Sequence, residues 1–210
     1  MSSSKRKEKS TSQPPTPPRS KGRDSAELVH GLNERALTLL KGSAGLLLPG
    51  LSALNDKSLR RGARFPFLIV DVHFADERWW RSAVLDPQGD RGAPARGPWP
   101  AEVAHTLLGE VLVFAWHTAR WDLWVARYVL GIVPGVVELV RGLTPAQLDA
   151  LSRLHSGSLR LRWQEDRNFW ARWAAAARDG DEEALADIHS HAKYLLHGGM
   201  AGLPVTTVGK

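Results

Sequence analysis

Two stretches far apart in the chain follow one pattern: FLIVDVHFADERWW at 67–80 and SLRLRWQEDRNFW at 158–170. Each alternates apolar and polar residues, breaks at an acidic turn and resumes with paired aromatics. Alternation is the signature of a strand with one buried face, and aromatics after an acidic residue read as a capped helix. Sliding the second stretch back by 89 residues sets Leu54 on Leu143, Leu59 on Leu148, Phe65 on Leu154, Val70 on Leu159, Val72 on Leu161 and Phe74 on Trp163. One extra residue, placed in the acidic turn, brings Trp79 and Trp80 onto Phe169 and Trp170. The polar positions Asp71 and His73 then meet Arg160 and Arg162. Agreement of type, order and phase points to a tandem duplication. If the copies pair as a short ribbon, the acid of one lies beside the arginines of the other.

The rest of the chain reads as helix. AELVHGLNERALTLLKG places Leu28, Leu32, Leu37 and Leu40 at helical spacing. Asn55 or Asp56 caps a short helix, and Thr144, Pro145 and Gln147 form a T-x-x-Q capping box. Val103, Leu107, Val111, Phe114, Trp121, Trp124 and Tyr128 recur every three or four residues. That is one long helix or two meeting near His117–Thr118, with the tryptophans in the core rather than in a base-stacking platform. EDRNFWARWAAAARDG is a helix stopped by Gly180, and DEEALADIHSHAKYLLHGG another, ending at Gly198. The expected fold is mainly α with short β-strands: tandem helix–strand–helix units joined by a long central helix into a pseudo-dimer. The expected boundaries are a disordered basic tail at 1–25, a first unit at 26–83, a Gly/Pro linker at 84–100, the long helix and second unit at 101–198, and a loose end at 199–210.

Charge is concentrated in the tail. Residues 1–24 hold seven Lys/Arg and two acids, so +5 of the formal +6 lies there. Lys5, Arg6, Lys7 and Lys9 are the expected source of non-specific polyanion affinity, unless the tail only solubilises. The absence of cysteine excludes disulfides, thiolate zinc sites and cysteine nucleophiles. No apolar run has the length of a spanning helix, so a soluble, cytoplasmic protein without a membrane partner is expected.

No nucleophile elbow, P-loop or dinucleotide fingerprint occurs. His189 and His191 project roughly 200° apart on a helix, so with His197 they read as surface and helix-end side chains rather than metal ligands. Asp181, Glu182 and Glu183 suit a first helical turn. An enzyme, a metal, a cofactor and a small-molecule substrate are therefore not expected. Candidate contacts to DNA or a partner are Gln147, Arg153, Arg160 and Arg162, because Gln and Arg read adenine and guanine edges. Gln147 is also accounted for by the capping box. The strand arginines either pair with Asp71 or stay free, and the alternation turns both outward.

The stretches YVLGI, LTPAQLDALSRLHSGSLRLRW and ALADIHSHAKYLL, between Tyr128 and Leu196, resemble the flagellar master transcriptional regulator, D subunit (FlhD). LSALNDKSLRRGARFPFLIVDVHF is similar to related small domains encoded on integrative conjugative elements and pathogenicity islands, some described as activators or replication-associated proteins. The resemblance covers about a third of the chain. It implies a helical bacterial protein that dimerises and activates transcription with a zinc-binding partner subunit. The usual cysteine of the basic-aromatic stretch is missing here, and the chain is longer, so both halves of a dimer fit within one polypeptide. The function expected is a non-enzymatic, DNA-binding regulator or co-activator working with a partner subunit, in flagellar control or on a mobile element. The alternative is an interaction, assembly or replication-associated module of a conjugative element that does not read DNA.

Overall fold

A computed structural model describes residues 21–44, 48–86 and 97–198. The regular elements among these residues are helices and one two-stranded ribbon. The first helix, α1, spans Lys21–Ala44, so it begins inside the segment expected to be a tail. Its core face is Val29, Ala36, Leu37 and Leu40, while Leu28 is exposed. Lys5, Arg6, Lys7 and Lys9, most of the expected linker and the C-terminal end lie outside the described residues.

After a 3-10 turn at Leu51–Ala53 come α2 (Asp56–Gly62), β1 (Val70–Asp71) and α3 (Glu77–Leu85). Asn55 caps α2, accepting from the Ser58 amide. Helix α4 (Ala101–Trp121) ends at Asp122, which serves as N-cap of α5 (Leu123–Leu130). The break therefore falls beyond His117–Thr118, where Thr118 continues the helix. Next come α6 (Pro134–Gly142), α7 (Pro145–Leu154), β2 (Arg160–Leu161), α8 (Arg167–Asp179) and α9 (Glu182–Gly198). Both halves of the Thr144–Gln147 capping box form. Gly180 ends α8 in the left-handed region at φ 77°.

The strands pair with each other, antiparallel, Val70 opposite Leu161 and Asp71 opposite Arg160. Each leads into the same turn. His73 and Trp163 both have positive φ, 50° and 52°. Their carbonyls accept from the amides of Asp76 and Asp166 at 2.8 and 2.9 Å. Those aspartates then cap α3 and α8 by accepting from the amides of Trp79 and Phe169, both at 2.9 Å. Trp80 and Trp170 are buried one residue later, their indoles donating to Val72 and Trp163 carbonyls. The two acidic turns thus have equal length, and backbone equivalence runs from His73 to Trp163, ninety positions. The extra residue expected in the turn sits instead before β2, and Leu154, aligned with buried Phe65, is exposed.

Packing crosses between the halves. Trp173 of α8 donates to the Gly62 carbonyl of α2 at 2.9 Å. A Cβ on Gly62 would lie 2.6 Å from the Trp173 ring, so only glycine admits this approach. Phe65, Phe67, Trp163, Phe169, Trp170 and Trp173 form a continuous aromatic cluster over the seam. Asn33, fully buried in α1, accepts from the Ile69 amide and donates to Phe67 O, holding the chain where it enters β1. Trp99, within the expected linker, is core, and its indole donates to Ala36 O. Among the described residues no single helix is long and apolar enough to cross a membrane; α5 and α6 together meet that test but are bent by 112°.

Candidate functional site

The ribbon brings the strand arginines to one place but gives them different surroundings. β2 ends at Leu161, and the positive φ of Trp163 turns the chain at once. Arg162 therefore lies in the turn instead of continuing the outward face. Its side chain is only 12% exposed. Nε donates to Leu68 O at 2.9 Å, and Nη2 donates to Leu130 O at 2.7 Å and pairs with Asp71 Oδ1 at 3.0 Å. One guanidinium thus ties β1, β2 and the end of α5. A charge this enclosed is tolerable because its donors are met by carbonyls and a carboxylate. The expectation that both arginines face outward holds for Arg160 alone.

Arg160 is exposed and makes no ion pair among the described residues. With Asp71, Trp163 and Glu165 it borders an open cleft of about 360 Å³. Beside it, His73 stacks on Trp79 at 4.7 Å, and Trp79 meets His155 edge-on at 5.3 Å. Burial lowers the His73 pKa most. Asp71 acts against this and Arg160 with it. The other expected contacts are engaged locally. Gln147 is occupied by Thr144, accepting from its amide at 2.9 Å, and Arg153 pairs with Asp149 at 2.8 Å on exposed helix surface.

Of the histidines of α9, His189 departs from expectation, while His197 lies in the last turn as expected. His191 is exposed, but His189 packs on Phe65 with centroids 4.3 Å apart. Burial, then the nearby His30, lowers its pKa to about 4. His197 is half-buried and stacks on Tyr128 at 5.5 Å.

A second surface was not anticipated. Trp121 and Trp124, expected in the core, are each 73% exposed at the α4–α5 elbow, next to exposed Leu123 and Tyr128. Asp122 causes this. Extended at φ −152° and ψ 107°, it ends α4 and restarts the helix by accepting from the amides of Trp124 and Val125. The apolar stripe built up over α4 is therefore out of phase after Trp121. The W-D-L-W spacing, with an N-cap residue between the tryptophans, was the available signal.

Cations sit over the rings of this surface: Arg120 over Trp116 at 4.7 Å, Arg127 over Trp124 at 5.4 Å, and Lys193 of α9 over Tyr128 at 4.9 Å. Such contacts contribute about 0.5–1 kcal/mol each at exposed sites. Ribbon and elbow adjoin, because Arg162 bonds the last carbonyl of α5. Family models give no match to the chain, and neither curated proteins nor solved structures give a significant one.

Proposed function

We propose that the protein is a non-enzymatic regulator of the FlhD type, a single-chain pseudo-dimer acting on transcription with a protein partner. The observation that carries this reading is the ribbon. Strands from the two halves pair antiparallel, and each runs into the same left-handed turn and aspartate-capped helix. An antiparallel pair built from equivalent strands places a two-fold axis between them, as in an isologous dimer. A chain of this kind carries its own dimer contact.

Its contact with DNA is through phosphates. Of the four residues with base-reading chemistry, Gln147 closes a cap, Arg153 is paired and Arg162 is enclosed, which leaves Arg160. Lys5, Arg6, Lys7 and Lys9 add charge without sequence information. Sequence choice then falls to the partner subunit. Fluorescence polarisation of the full chain with promoter and random duplexes across salt tests this. Similar affinity for both duplexes and a steep salt dependence are expected, with the slope about one unit shallower in Arg160→Ala. Absence of binding at low salt would remove the DNA role.

The second reading is an interaction or assembly module of a mobile element that does not touch DNA. The exposed aromatics of the elbow favour it, since Trp, Tyr and Arg are the residues that dominate protein interfaces.

A further inference from the structure

We infer that the α4–α5 elbow is the docking face for an acidic, partly apolar segment of a partner protein. The inference rests on the partner-binding part of the reading above and adds the chemistry of what is bound. Along this face Trp124 and Tyr128 lie one helical turn apart on α5, and α9 brings Lys193 and His197 against Tyr128. Trp124 is 73% and Tyr128 39% exposed. Exposed large aromatics clustered in this way mark interaction surfaces.

The cations set the charge of the occupant. Elsewhere Arg35, Arg61, Arg81, Arg141, Arg153 and Arg178 each have a carboxylate partner, while Arg160 has none among the described residues. Arg120, Arg127 and Lys193 have none among the described residues and lie over aromatic rings instead. Arg127 Nε and His197 Nε2 are buried and without a hydrogen-bond partner among the described residues. His197 is depressed by burial and then by Lys193, Arg162 and Arg127, as a locally positive potential requires. Favourable placement near helix C-termini accounts for Arg120 in the last turn of α4, Arg127 in that of α5 and His197 in that of α9. It does not account for Lys193 over the exposed ring of Tyr128.

A nucleic acid fits less well. Base stacking needs open ring faces, and Trp116, Trp124 and Tyr128 already carry cations. A carboxylate can reach each cation without displacing it, while Leu or Phe side chains cover the rings.

The test uses the full chain and three fluorescein-labelled probes: a peptide of Glu and Asp interspersed with Leu and Phe, the same peptide with Lys at the acidic positions, and oligothymidylate. The acidic peptide is expected to bind, more weakly as salt rises, and the basic peptide not to bind. Arg120→Glu combined with Lys193→Glu should weaken the acidic peptide at least about tenfold with unchanged Tm, and Trp124→Ala should do likewise. Equal binding of the two peptides, or none of the acidic one, overturns the inference. Loss in Trp124→Ala with the charge variant unaffected leaves partner docking standing and removes the acidic chemistry. Tighter, Trp124-dependent binding of oligothymidylate makes the face a nucleic-acid surface and also overturns it.

Discussion

The turn after β1 and the turn after β2 are nearly the same object built from different residues. His73 and Trp163 share a left-handed backbone, Asp76 and Asp166 cap the next helix with the same bond, and Trp80 and Trp170 fill the same place. Burial around them is not the same. Val70 is enclosed, whereas its backbone counterpart Arg160 is exposed; Val72 is buried as plain hydrocarbon, whereas Arg162 is held by two carbonyls and Asp71. Local geometry follows a short code of turn, aspartate and tryptophan. What each strand buries follows its neighbours: the backbone flanking β1 bonds to the end of α5 and the residues after it, Leu68 donating to Val129 O and Val133 donating to Phe74 O, whereas after β2 the Arg162 side chain makes that contact.

That difference can be broken most severely at the tryptophans. Trp80→Ala and Trp170→Ala are each expected to cost about 3–5 kcal/mol in urea unfolding. Trp170 should be the more costly, since it meets Phe65, Phe169 and Trp173. A larger loss at Trp80 would mean that the seam cluster is not the main core. The arginines come next. Arg162→Ala strands Asp71 and two carbonyls and should cost about 3 kcal/mol. Arg160→Ala should stay within about 0.5 kcal/mol. Equal effects would erase the distinction between them.

The seam between halves has its own pH signature through His189, which packs on Phe65. Its pKa in the folded chain, about 4, lies below the unfolded value, so the native state holds it neutral. The stability this contributes is complete above about pH 6.5 and is lost as pH falls towards 4. Allowing for partial exposure, the loss is on the order of 2 kcal/mol. His189→Leu should flatten the fall in Tm over that range relative to the parent chain; an unchanged slope would place the histidine in solvent. The smallest effects are the caps. Asp76→Ala and Asp166→Ala should each cost about 1 kcal/mol, with similar values if the turns are equivalent.

Features set by a few adjacent residues were legible in the sequence: the Thr144–Gln147 box, the Asn55 cap, the Gly180 stop and the two alternating stretches that pair. Features set by a change of phase were not. Alternation extended through Arg162 assigns it to the outward face, but the strand is two residues long and the turn begins there. Helical periodicity carried past Trp121 assigns Trp124 to the core, but Asp122 restarts the count. Asn33 was invisible for another reason. A polar residue on an apolar helix face reveals its role only once the carbonyl and amide it serves, 34 and 36 positions away, are in place.

The proposed pseudo-dimer rests on the strand register, and that can be measured directly. In an isotope-labelled sample, cross-strand nuclear Overhauser contacts should pair Val70 with Leu161 and Asp71 with Arg160, with positive-φ couplings at both His73 and Trp163. This is the register in which a two-fold axis exchanges strands ninety positions apart. Contacts pairing Val70 with Arg160 and Asp71 with Leu159 would set the exchange at 89 positions, out of step with the two turns, and that register, or a positive φ at only one of the two turn residues, would contradict this equivalence.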